Sequence, residues 1–128
     1  MAYQILVSNA EILDKFSILT IKSTKINNVL QIQNISKELD ILRPIFNLIV
    51  KDSEYLQKLY TDLININTKL WDIEDSIRVK EKQQLFDDVF INLARSVYIF
   101  NDERAFIKKQ INIFSGSELT EEKSYESY

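Results

Sequence analysis

The stretch LQKLYTDLININTKLWDIEDSI, residues 56–77, decides the fold. Leu56, Leu59, Leu63, Ile66, Leu70, Ile73 and Ile77 recur through it at alternating steps of three and four. On an α-helix that spacing makes one narrow apolar seam, and a long narrow seam needs a second helix laid along it. The second follows a short break, where Phe86, Phe90, Leu93, Val97, Phe100, Arg104, Ile107, Ile111 and Phe114 repeat the spacing with one charged member. The two segments predict a long antiparallel hairpin with helices over about 53–82 and 87–114 and a turn between Lys80 and Phe86. At ~1.5 Å per residue its first arm is about 45 Å long, which is long for a chain of 128 residues.

Two shorter helices should precede the hairpin. Ser8 and Glu11 form a capping-box pattern, the serine accepting from an orphan N–H and the glutamate reaching back, so a helix is expected over about 9–26 with Ile12, Phe16, Leu19 and Ile26 inward. Asn27 and Asn28 favour a turn. A second helix is expected over 29–50, with Ile32, Ile35, Leu39, Leu42, Phe46 and Ile49 inward. Pro44 lies inside that pattern, removing a backbone donor and crowding the preceding turn, and so predicts a kink near residues 40–43 or a split into two helices. Asp52 or Ser53 can cap the first hairpin helix, and Gly116, the only glycine, stands where a left-handed C-terminal cap belongs. Tyr3 to Val7 reads as a strand or an extended lead-in. The tail, 115–128, is polar and acidic but carries Tyr125 and Tyr128, which suit docking. The fold class is therefore all-α: one domain, residues 1–128, in a four-helix arrangement built on the hairpin, with a short extended N-terminus and a docked C-terminal tail.

Composition removes several chemistries. The chain has no Cys and no His, which excludes disulfides, thiol nucleophiles, Ser-His and Cys-His hydrolases and most zinc sites. No metal and no cofactor is expected. A net charge of −3 with interleaved signs argues against nucleic acid. No basic start with a long apolar run marks a signal peptide, and no apolar stretch approaches the ~20 residues of a membrane span. A soluble, cytoplasmic protein is expected.

The polar residues beside the seams are the candidate site. Arg104 occupies a seam position and needs a partner, for which Asp14, Glu38 and Asp102 are the candidates; the plainest role for such a pair is to fix helix register. A second stripe beside the seam carries Asn67, Trp71, Glu74 or Asp75, and Arg78 on one helix. On the other it carries Arg95, Tyr98, Asn101 or Asp102, Lys108 and Asn112. With a turn near Gln83, Arg95 comes level with Asp72 to Glu74, and the stripes face one another across a groove. Arg78, Arg95 and Lys108 there would clamp a phosphate or carboxylate while Trp71 and Tyr98 stack on a ring. The plainer alternative is an ordinary i,i+4 pair between Glu74 and Arg78, with Trp71 in the core.

Several blocks resemble a known family. Leu13-Asp14-Lys15 with Ile18-Leu19 and Ile21-Lys22, then Leu70-Trp71-Asp72-Ile73-Glu74-Asp75 with Ile77-Arg78, are similar to blocks of an uncharacterised family of short all-helical bacterial and phage proteins. Ala94-Arg95, Val97-Tyr98, Asn101-Asp102, Arg104-Ala105 and Gly116-Ser117 with Glu121 to Tyr125 and Tyr128 extend the resemblance over nearly the whole chain. The resemblance implies that polar residues are kept at Asp14, Lys15, Glu74, Asp75, Arg78, Arg95, Asn101, Asp102, Arg104 and Lys108, and that the tail folds back on them. It also implies a loose association with glycosyl transfer to surface polysaccharides.

Together these point to a small binding or accessory module for an anionic ligand, such as a sugar-phosphate or nucleotide-sugar, or for a segment of a protein partner. One alternative is a helical enzyme with Glu74 or Asp102 as general base and Arg and Lys stabilising an anion. The other is a structural protein that forms a homodimer through the overhanging ends of its hairpin.

Overall fold

The computed structural model describes residues 1–128, which form four helices: α1 (Asn9–Lys25), α2 (Val29–Val50), α3 (Glu54–Gln83) and α4 (Asp88–Ser115). All four begin on side-chain caps. Ser8, Asn28, Ser53 and Asp87 accept from the backbone N–H of Glu11, Gln31, Leu56 and Phe90, each satisfying one of the donors a helix start leaves unpaired. The hairpin turn closes without glycine. Gln84 takes the left-handed conformation at φ 56°, and the N–H groups of Gln84 and Leu85 return to the carbonyls of Glu81 and Lys80. Gly116, at φ 68°, ends α4 in the same way, and its N–H and that of Ser117 return to Ile113 and Asn112.

Of the two outcomes expected at Pro44, the split into two helices does not occur. α2 runs unbroken from Val29 to Val50. Asp40, whose carbonyl loses its usual donor, lies on the exposed face, where the oxygen is open to solvent. The capping box is also only half formed: Ser8 caps α1, but the Glu11 carboxylate turns to Lys108 instead of its own helix start.

Two clusters hold the helices together. The larger joins Ala10 and Leu13 of α1, Val50 of α2, Leu56, Leu59, Leu63 and Ile66 of α3, and Ile111 of α4, with Phe46, Tyr60, Phe100 and Ile107 packed around it. The smaller lies between α1 and α2 and contains Leu19, Ile35 and Leu39. Phe46 links them, stacking on Phe16 at 4.3 Å and meeting Tyr60 edge-on at 4.6 Å. The hairpin seam is thus buried only along the half that α1 and α2 cover. Leu56, Leu59, Leu63 and Ile66 are buried, while Leu70, Ile73 and Ile77 are half-buried.

Residues 1–8 are extended and form no strand, and Met1 to Val7 are exposed. The tail docks through a few polar contacts. Lys108 holds Glu121, and Tyr128 donates to Asp102 at 2.6 Å while meeting Tyr98 edge-on. No helix is long and apolar enough to cross a membrane.

Candidate functional site

The site is organised by a carboxylate on α1. Asp14 is almost wholly buried, at 3% exposure, and a charge there requires partners. Arg104 of α4 grips it in a two-pronged pair, Nε to Oδ1 at 3.2 Å and Nη2 to Oδ2. Asn67 of α3 donates to Asp14 Oδ1 at 2.9 Å and to Ser17 Oγ at 2.8 Å. Lys108, one turn beyond Arg104, comes within 3.5 Å of Asp14 and also holds Glu11 at 2.5 Å and Glu121 at 3.2 Å. Glu11 and Asp14 are three apart on α1 and Arg104 and Lys108 four apart on α4, so two acids and two bases meet as matched rungs. No buried side-chain nitrogen or oxygen is left without a partner.

Burial pushes the Asp14 carboxyl up, but the hydrogen bonds of Arg104 and Asn67 and the charges of Arg104 and Lys108 outweigh it and hold the group below the ordinary carboxylate range. Lys108 shows the mirror case: burial lowers it, while Glu11, Asp14 and Glu121 raise it above the usual lysine value. The sign of the linkage follows for each. Asp14, depressed in the folded state, contributes stability that is full above its unfolded pKa of about 3.9 and is lost as pH falls through its lower folded value. Lys108, raised, contributes stability that is full below about 10.4 and is lost as pH rises through its higher folded value. Thermal unfolding should therefore show a broad plateau with an acid limb below about pH 4, and Asp14→Asn should flatten that limb. An acid limb of unchanged depth in Asp14→Asn would assign it to other carboxylates.

Two grooves meet at Arg104. One, of about 330 Å³, lies between α1, α3 and α4 and is lined by Trp71, Glu74, Asn101 and Arg104 over a floor that includes Ile18 and Leu70. The other, of about 790 Å³, lies between α4 and the tail and is lined by Tyr98, Asn101, Asp102, Arg104, Tyr125 and Tyr128. Asn101 and Arg104 belong to both. A guanidinium has five N–H donors, and Asp14 takes two of Arg104's. The Nη1 pair and the remaining Nη2 hydrogen have no protein acceptor and are available where the grooves join.

Eight of the twelve sequence-predicted site residues therefore come together: Asp14, Trp71, Glu74, Tyr98, Asn101, Asp102, Arg104 and Lys108. Four do not join them directly. Lys15 pairs with Glu38 at 3.1 Å and ties α1 to α2. Arg78 forms the ordinary i,i+4 pair with Glu74 at 3.0 Å. Asp75 and Arg95 are exposed and make no ion pair. The expected clamp of Arg78, Arg95 and Lys108 is not assembled. Asp72, which was to meet Arg95, is held at 3.5 Å by Lys25 at the end of α1, and Lys108 is enclosed by three carboxylates. Arg104 is the cation the grooves share. Sequence reasoning missed Glu11, which it assigned to the cap, and Ser17, Glu121 and the Lys123 that pairs with Glu121 at 3.9 Å beside the tail groove. Asn67, on the polar stripe but not chosen, was the one with a visible signal: an amide beside a buried seam needs partners.

Comparison with known proteins gives a match over residues 3–128 to the model of a family of unknown function (DUF6165). No curated protein and no solved structure matches.

Proposed function

The chain belongs to that family of unknown function, and we propose that it is a small helical binding module whose joined grooves take a sugar bearing an anionic group, as in a sugar-phosphate or nucleotide-sugar. The observation that carries this is the pose of Arg104. Asp14 fixes its guanidinium in one orientation, and three donors remain for a ligand oxyanion. Holding the fork in place before binding reduces the ordering cost that a free arginine would incur. Around it, Trp71 and Tyr98 offer ring faces and edges for the C–H face of a sugar, and Asn101, Glu74 and Asp102 accept from hydroxyls. The charges nearest Arg104 also suit a ligand recognised by geometry over one captured by field alone. Asp14, Glu11 and Glu121 are balanced by Arg104, Lys108 and the Lys123 that pairs with Glu121, so the network exerts no net pull on anions at long range. A cytoplasmic setting fits such ligands.

A thermal-shift screen against inorganic phosphate, sugar-phosphates, nucleotides, nucleotide-sugars and small carboxylates tests this. At ~100 times the dissociation constant, occupancy stabilises by about 2.7 kcal/mol, a shift of several degrees for a domain of this size. A shift by sugar-phosphates or nucleotide-sugars is expected, lost in Trp71→Ala and Asn101→Ala and kept in Arg95→Ala. A hit that survives both groove variants, or a screen with no shift, would sink the proposal.

A further inference from the structure

Arg104 stands at a junction and not at the end of a pocket. The smaller groove leaves it on one side with Trp71 and Glu74, and the larger on the other with Tyr98 and Tyr125. At about 330 and 790 Å³, both fall within the ~300–1,000 Å³ of small-molecule pockets, so each has room for a ring-bearing group. A phosphate at the end of a single sugar would reach Arg104 from one groove and leave the other empty. An anionic group that links two ring-bearing halves would fill both.

A second cation lines the larger groove. Lys123 belongs to the tail, the wall that faces α4. Its ion-pair partner, Glu121, stands at 3.9 Å, beyond hydrogen-bond distance, and 33% of its side chain is exposed, so its ammonium keeps donors for an incoming group. Lys108 differs, being enclosed by three carboxylates. The tail is pinned on either side of Lys123, by Glu121 on Lys108 at 3.2 Å and by Tyr128 on Asp102 at 2.6 Å. Two acids, Asp102 and Glu126, line this groove as well, which offsets any general attraction for anions. Binding there depends on two cations meeting two anionic centres at once.

We propose that the ligand is a pyrophosphate diester, the linkage of nucleoside diphosphate-sugars, with one phosphoryl group on Arg104, the other on Lys123 and a ring-bearing half in each groove. This rests on the joined grooves being the ligand site, and it narrows the class by setting simple sugar-phosphates aside. The larger groove, with Tyr98, Tyr125 and Tyr128, suits a flat base. The smaller, where Trp71 stands beside Glu74 and Asn101, suits a sugar with its hydroxyls. Lys123 is then a specificity-determining residue. A single phosphate satisfies Arg104 alone, whereas a pyrophosphate satisfies both cations.

Calorimetric titration of the full chain at fixed ionic strength tests this, first with inorganic phosphate and inorganic pyrophosphate, which carry the anionic centres without the rings. Lys123→Ala should weaken pyrophosphate by about tenfold and phosphate far less, and Lys123→Arg should keep the pyrophosphate affinity. UDP-glucose and ADP-glucose add the rings. At least one should bind more tightly than pyrophosphate and change the emission of Trp71, the only tryptophan, and glucose 1-phosphate should not match it. The two possible failures are distinct. If none of these probes binds, the grooves are not a ligand site and the binding-module reading falls together with this one. If glucose 1-phosphate binds as tightly as the nucleotide-sugars, or if Lys123→Ala affects phosphate and pyrophosphate alike, only the pyrophosphate assignment is overturned.

Discussion

Replacing Asp14 with alanine should cost about 3–5 kcal/mol, a fall in melting temperature on the order of 10–20 °C, and make it one of the most damaging single changes in the chain. The loss is not the removed pair alone. Without the carboxylate, Arg104 and Lys108 face one another across four residues of α4 with a shared counter-charge missing, and Asn67 loses an acceptor. Arg104 keeps 23% of its side-chain surface and can turn towards water, which places the cost nearer the lower figure. Removing the arginine should hurt less. In Arg104→Met, Asp14 retains Lys108 and Asn67, so about half the cost is expected, and Asp14→Ala with Arg104→Met should cost less than the two singles summed. Denaturant unfolding of the three variants measures this coupling. A cost below about 1 kcal/mol for Asp14→Ala would mean that solvent reaches the network and that burial does not govern it.

The second large effect separates the two halves of the hairpin. Leu63 is fully buried at the centre of the main cluster, and Leu63→Ala should cost about 2.7–5 kcal/mol through lost transfer energy and the cavity left behind. Ile77 sits at an equivalent seam position two heptads on, but it is only half-buried and belongs to neither buried cluster. Ile77→Ala should cost about 1 kcal/mol. Equal costs at the two positions would require the hairpin tip to be covered by something beyond this chain's own helices.

That contrast also marks where the sequence stops being informative. Periodicity located all four helices, because burial on one side imposes a 3.6-residue repeat whatever the partner. Ser8, Asn28, Ser53 and Gly116 placed most of the ends, since caps are local chemistry. Periodicity carries no measure of depth, so Leu63 and Ile77 read alike although only one lies at the centre of the cluster. Pro44 left a kink and a split both open for a similar reason: whether a missing donor breaks a helix depends on whether the orphaned carbonyl reaches water, and that depends on which face the tertiary fold leaves open. At the site, Arg104 announced that it needed a partner, since a cation on an apolar seam is a local contradiction. Choosing Asp14 over Glu38 or Asp102 needed the rotation of α1 against α4, which helical phase does not contain. The competing partners were occupied in ways no spacing reveals, Glu38 by Lys15 and Asp102 by Tyr128.

The first turn of α1 has a bearing on how the chain is made. The N–H groups of Asn9 and Ala10 are taken up by Ser117 and Asn112, at separations of 108 and 102 residues, and the cationic partners of Asp14 lie 90 residues and more downstream. A ribosome that has delivered α1, α2 and α3 has delivered a buried acid without its cations and a helix start without its acceptors. Until residues 104 to 117 have cleared the exit tunnel, Leu13 and Leu63 lack Ile111, the α4 member of their cluster, and the apolar surface of α2 stands beside an unfinished core. The order of synthesis makes the last long helix the one that commits the others, so the nascent chain passes most of its length in a state that depends on protection from aggregation before it closes in a single late step.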